Sequence, residues 1–275
     1  MAKVIAICNQ KGGVGKTTTA INLAVFLSFS GKRTLIIDID PQGNATSGLG
    51  VNKHNISKSI YDLVIDEIDP AGVIVATGID NLSLIHSTLS LTGAEVELVG
   101  IMGREYRLKK AVSSILSNYD FIVIDCSPSL GLLTVNALAA AESVLIPIQC
   151  EYYALEGLSQ LVNTVNLVKE NINSNLYIEG VLLTMADFRT NLTNEVINEV
   201  KKFFKGKVYE TVIPRNIKLT EAPGFGKQIA IYDKNSIGAQ KYNDFTNELL
   251  GIEKDTIDNQ LSHNNLQEVS EGEIK

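Results

Sequence analysis

Residues 7–24 read ICNQKGGVGKTTTAINLA, and this stretch decides how the rest of the chain is read. It comes close to the phosphate-loop pattern G-x-x-x-x-G-K-[ST] but departs from it at one position. Counting back from Gly15, Lys16 and Thr17, the first glycine of the pattern falls on Gln10, and beside it stands Lys11, which an ordinary loop does not need. An apolar run over 4–8 precedes the glycines and a good helix-forming run follows them, the strand–turn–helix context in which such a loop has meaning. Gly12, Gly13 and Gly15 permit positive φ and let successive N–H groups face phosphate oxygens. The helix start adds partial positive charge. Lys16 suits the β- and γ-phosphates, and the Thr17 hydroxyl suits Mg²⁺. Lys11 has two readings on geometry alone: a solvated loop lysine, or a cation directed at a facing copy of the same site.

Around this loop, short apolar runs over 4–8, 34–38, 82–86, 121–125, 143–148, 180–184 and 208–213 read as strands. Several are apolar without alternation, as in a parallel sheet buried on both faces. Helical patterns over 17–30, 130–141, 154–168, 192–204 and 237–250 lie between or after them. The alternation implies right-handed crossovers and a doubly wound α/β domain with a mostly parallel sheet flanked by helices. The domain is expected over 1–251, followed by an acidic, disordered tail over 252–275.

Composition is that of an ordinary globular protein, and no apolar run reaches the ~18 residues of a membrane helix. The first residues lack the apolar stretch of a secretory signal, so the expected compartment is the cytoplasm. Cys8, Cys126 and Cys150 have no C-x-x-C spacing, which counts against a disulfide framework, a zinc ribbon or an iron–sulfur cluster and favours buried free thiols. The net charge of −7 taken alone disfavours nucleic acid as a partner. It is uneven, however: residues 252–275 hold six acids and two lysines, whereas 185–241 hold ten Lys/Arg against six Asp/Glu.

Two acids follow the second strand, Asp38 and Asp40, and the strand's period of two places both on one side. One can orient an attacking water while the other supports Mg²⁺. Asp125 ends the apolar run 121–125, at the edge where ligands bind in open α/β sheets.

The segment KGGVGKTT resembles the deviant Walker A motif of the ParA/MinD superfamily of P-loop ATPases. LIIDIDPQGNAT (35–46), FIVIDCSPSLG (121–131) and IPRNIKLTEAPGFGKQI (213–229) extend the likeness over about residues 1–250, nearest the ParA/Soj chromosome-partition subgroup. The resemblance implies ATP and Mg²⁺ as cofactors, a nucleotide-sandwich homodimer, and Lys11 crossing to the facing copy's ATP. It implies ATP contacts from Lys11, Gly12, Gly13, Val14, Gly15, Lys16, Thr17 and Thr18, and an adenine border at Pro214, Arg215 and Asn216. Glu151 resembles the acid that meets the facing nucleotide. Asp40 matches the water-positioning residue, so Lys11, Lys16 and Asp40 form the catalytic set. Thr17, Asp38, Asp40 and Asp125 surround the metal, Asp125 through a water.

The same resemblance implies slow ATP hydrolysis that releases nonspecifically bound double-stranded DNA, stimulated by a ParB/Spo0J-like centromere-binding protein, and hence nucleoid association. Arg189 and Lys218 match the subgroup's basic contact positions, although the second is often Arg and lysine lacks the bidentate fork. Lys201, Lys202, Lys205 and Lys207 either widen that patch or form a solvated helix end. No base-reading module is evident. An ATP-gated adaptor for a non-DNA cargo is the alternative. A MinD-like membrane ATPase is disfavoured because the acidic tail lacks a basic amphipathic face.

Overall fold

The computed structural model describes residues 1–52, 57–152, 154 and 157–252. Eight strands form one sheet: β1 (Lys3–Ile7), β2 (Thr34–Asp38), β3 (Ile74–Ala76), β4 (Leu82–Ile85), β5 (Phe121–Asp125), β6 (Ser143–Gln149), β7 (Tyr177–Ala186) and β8 (Val208–Pro214). Their order is β3-β4-β2-β5-β1-β6-β7-β8. Every pairing is parallel except β3 with β4, which is antiparallel at one edge.

The helices are α1 (Lys16–Phe29), α2 (Asn44–Gly48), α3 (Ile60–Ile65), α4 (Leu91–Glu97), α5 (Arg107–Ser113), α6 (Leu132–Ala140), α7 (Leu158–Asn171), α8 (Asn191–Phe204), α9 (Ile217–Glu221), α10 (Ile229–Tyr232) and α11 (Ile237–Leu250). The strands read as continuous apolar runs because each face of the sheet is covered. Ile5, Ile7, Ile36, Val123 and Leu145 face a layer built from α1 and α11, with Leu23, Leu27, Tyr242 and Phe245. The alternate residues, Val4, Ala6, Leu35, Ile37, Ile122 and Ile124, face the layer holding α3 to α8, through Leu63, Leu108, Leu133, Leu161 and Val200. The period of two survives inside a sequence with no polar alternation, because both directions lead into core.

The doubly wound expectation holds, and the helix over 237–250 matches α11 residue for residue. Thr190 and Ser236 set the starts of α8 and α11, each accepting a hydrogen bond from the N–H three residues on. The strand expected over 180–184 is longer, Tyr177–Ala186. The helix expected over 154–168 runs instead as Leu158–Asn171, after Gly157 at φ +78°. Strand β3 and helices α3 to α5 are additional, each three to seven residues long. Of the expected tail, residues 253–275 lie outside the described residues. Among the described residues, no helix is long and apolar enough to cross a membrane.

Candidate nucleotide site

The loop after β1 ends in Gly15, whose φ of +88° makes it the left-handed N-cap of α1; no side chain caps the helix there. The first-turn N–H groups of α1 are thus available to a ligand. The loop is fixed from three sides. The Asn9 amide donates to the Pro147 carbonyl at 2.7 Å and its oxygen accepts from the Lys11 N–H at 3.0 Å. The Thr184 hydroxyl donates to the Val14 carbonyl at 2.8 Å. The Lys16 ammonium donates to the Lys11 carbonyl at 3.0 Å. Burial lowers the pKa of Lys16, opposed by the negative charge of Asp125.

A cleft of about 790 Å³ opens over the loop, reached by Gly12, Gly13, Gly15, Lys16, Thr17 and Thr18. Pro214, Arg215 and Asn216 line the same cleft, so the candidate phosphate and base ends of the site share one space. Lys11, Val14, Asp38, Asp125 and Glu151 do not line it. Sequence reading missed several residues that do: Thr92 and Glu95 of α4, Ser127 and Ser129 after β5, and Met185 and Tyr242. Ser127 and Ser129 stand inside the 121–131 segment already singled out. Met185 carries no sequence signal, although its φ of +51° marks a strained wall.

Asp38 and Asp125 are register partners on neighbouring strands and both are fully buried. Asp38 is committed within the chain: one oxygen accepts from the Thr46 N–H at 2.8 Å and the Thr46 hydroxyl at 2.7 Å, the other from the Asp40 N–H at 3.2 Å. Burial still pushes its pKa up to about 6. Asp125 is held well above the ordinary carboxylate range by burial and then by the Asp38 charge, with the Thr17 hydroxyl and Lys16 pulling it back.

Strand alternation does not relate Asp38 to Asp40, because β2 ends at Asp38. Asp40 sits in the turn beyond, where its carbonyl accepts from the Gly43 N–H at 2.8 Å, and it reaches the cleft from there. Asp38 instead anchors the 38–46 segment to the sheet.

Both carboxylate oxygens of Asp125 are buried with no partner of hydrogen-bond geometry among the described residues. A buried carboxyl group only partly offset by the Thr17 hydroxyl and Lys16 fits a hydrated divalent cation, which would lower the cost of its charge. No group of three or more His, Cys, Asp or Glu side chains able to hold a metal occurs among the described residues. The donor set therefore suits a cation that brings phosphate and water oxygens with it.

Glu151 and Arg215, assigned separately from sequence, meet within one chain at 3.2 Å. The Asn216 side chain accepts from the Lys218 N–H at 2.8 Å and so caps α9.

The basic surface is more neutralised than its composition suggests. Arg189 makes a two-point pair with Asp187 at 2.8 and 2.6 Å, holding that acid's pKa down to about 2. Lys218 pairs with Glu221 at 3.0 Å and lies 5.6 Å from the centre of the Tyr232 ring. Lys201 and Lys202 pair with Glu210 and Glu199. Lys207 donates to the Ile178 carbonyl.

Comparison with known proteins agrees with this geometry. A family model described as an AAA domain matches residues 2–178. The sporulation initiation inhibitor protein Soj of Bacillus subtilis is 59% identical over 249 residues, 90% of this chain and 98% of that protein. The chromosome partitioning protein ParA of Myxococcus xanthus is 53% identical over 242 residues, covering 88% and 86%. Among solved structures, one described as cobyrinic acid a,c-diamide synthase from Mycobacterium smegmatis with bound ADP and magnesium superposes with a TM-score of 0.80. It is 35% identical and the match covers 91% of this chain and 94% of that one. On the matched domain, the near full-length relatives and the loop with its extra lysine, the chain belongs to the Soj/ParA family of chromosome-partitioning proteins, within the ParA/MinD superfamily.

Proposed function

We propose that this protein is a Mg²⁺-dependent ATPase of DNA segregation, in which ATP drives dimerisation and nonspecific duplex binding and slow hydrolysis reverses both. The observation that carries the reading is the single cleft holding the phosphate loop, Asp40 and the 214–216 segment together. The neighbour solved with ADP and magnesium supports the cofactors, and the names of the Soj and ParA relatives support the process. The working unit is residues 1–251.

In this reading the loop N–H groups and the Lys16 ammonium bind the phosphates, and Thr17, Asp40 and Asp125, with Asp38 behind them, place the cation and its waters. A Mg²⁺ held there would supply charge neutralisation to the phosphates. Asp40, at the cleft wall, orients the attacking water. Lys11 is spent only through its backbone, which leaves its ammonium to serve a facing copy's γ-phosphate. Glu151 closes the rim through Arg215 and meets the facing nucleotide. Arg189 and Lys218 contact DNA phosphates, and two copies double those contacts, so ATP gates affinity through avidity. A ParB/Spo0J-like protein stimulates turnover, and the ATP state is nucleoid-associated.

One observation favours the ATP-gated adaptor as a second reading: both candidate DNA contacts are already paired with acids. Duplex binding with ATP and with ADP separates the two, since an adaptor for another cargo shows neither.

A further inference from the structure

Two cysteines lie at the root of the phosphate loop. β1 and β5 run parallel with Ile7 opposite Asp125, which makes Cys8 and Cys126 the next opposed pair. Their sulfurs are 3.0 Å apart and both residues are 1% exposed. The backbone holds them there: the Cys126 N–H donates to the Ile7 carbonyl at 3.3 Å and the Cys8 N–H to the Leu145 carbonyl at 3.1 Å. Adjacent strands set a Cα separation inside the range a disulfide spans, and the sulfurs need roughly 1 Å of further approach to bond.

We infer that Cys8 and Cys126 form a modification site that hydrogen peroxide converts to an intrachain disulfide. One thiol sulfur attacks the peroxide O–O bond, becomes a sulfenic acid and releases water. The second sulfur displaces the new hydroxyl as a second water while the S–S bond forms. Two thiols lose two electrons and two protons, and one peroxide is reduced to two waters. Burial selects the oxidant by size. Peroxide is comparable to water and reaches the pair through small openings of the strand ends, whereas a bulky disulfide such as oxidised glutathione does not.

The bond acts on the site because of what flanks it. Cys8 leads into Asn9, whose side chain fixes the Lys11 N–H, and Cys126 stands between Asp125 and the cleft residue Ser127. Drawing the two strand ends together displaces the loop relative to Asp125. Displacements of about 1 Å at a reacting centre lower rates by as much as ~10². This consequence rests on the ATPase reading, whereas the modification itself does not.

The test treats the folded full chain with hydrogen peroxide, removes the peroxide, then unfolds the chain in denaturant, alkylates the remaining thiols and maps peptides by mass spectrometry. The expected result is a Cys8–Cys126 linked peptide with Cys150 alkylated, and ATP hydrolysis lowered roughly 10- to 100-fold and restored by dithiothreitol. Cys8→Ser keeps its hydrolysis through the same treatment. Oxidised glutathione leaves both thiols free of adduct. Cys8 and Cys126 still alkylatable after peroxide, oxidation confined to Cys150, or a glutathione adduct on either member overturns the proposal. The linked peptide in a protein that shows no hydrolysis before treatment supports the modification and counts against the ATPase reading.

Discussion

The ammonium of Lys16 donates to the carbonyl oxygen of Lys11 at 3.0 Å, so the loop's two lysines are joined through one side chain and one backbone. The bond places the Lys16 charge inside the loop and makes no use of the Lys11 side chain. The two positions therefore separate by mutation. Lys16→Ala should weaken ATP binding about 10- to 100-fold, the scale of a lost charged hydrogen bond. Lys11→Ala keeps its carbonyl and should bind ATP as a folded monomer, yet lose dimer-linked turnover by roughly 10³, as when a cation supplied in trans is removed. Nucleotide titration and steady-state hydrolysis check both, and normal turnover in Lys11→Ala removes the in-trans role.

Asp38 gives a pH dependence with a definite sign. Burial raises it from 3.8 to about 6, so the folded chain holds its proton more tightly than the unfolded chain does. Its contribution favours folding below 3.8 and is lost as pH rises through about 6. Asp38→Asn still accepts from Thr46 but does not ionise. In nucleotide-free protein, the variant should gain stability relative to the parent as pH increases from about 4 to about 8. Chemical denaturation of both across that range reads the difference, and a flat difference contradicts the burial argument.

Arg189 and Asp187 are two residues apart in sequence, and their pairing occupies the Nε and Nη2 edge of the guanidinium. Asp187→Asn should release it. Duplex binding in the ATP state then strengthens, and the salt slope steepens by ~0.9 for each phosphate newly neutralised. Unchanged affinity and slope across a salt titration would move Arg189 out of the DNA surface.

The 38–50 segment meets the 222–226 turn through two glycines. A Cβ on Gly50 would stand 2.9 Å from the Gly226 carbonyl oxygen, and Gly50 has a φ of +77°. Both effects oppose any side chain, so Gly50→Ala should destabilise by about 1–3 kcal/mol. Thermal unfolding of the variant against the parent measures it.

Much of this site was legible because phosphate binding demands fixed spacing. The loop over 12–17 stands between β1 and α1, as its spacing implies, and Asp125 ends β5 as its apolar run implies, whereas Asp40 reaches the cleft from a turn and not through the strand's period of two. β3 and α3 to α5 were not legible, since elements of three to seven residues carry too few turns to show a period. The anchoring role of Asp38 depends on Thr46, eight residues away, and Glu151 meets Arg215 across 64 positions. Contacts of that separation are set by how β6 and β8 end on the same side of the sheet, which no local pattern records. The acid beside Arg189 was visible in sequence but its geometry was not.

The central claim is that ATP gates duplex binding. Asp40→Ala keeps the loop, Lys16 and Asp125 while removing the carboxylate proposed to orient the attacking water, and on that reading it should hold the ATP state. Fluorescence anisotropy of a random-sequence duplex with this variant, in ATP and in ADP at two salt concentrations, reads the claim directly. The expected result is binding with ATP alone that weakens steeply with salt. Equal binding in both nucleotides, or none in either, would contradict it.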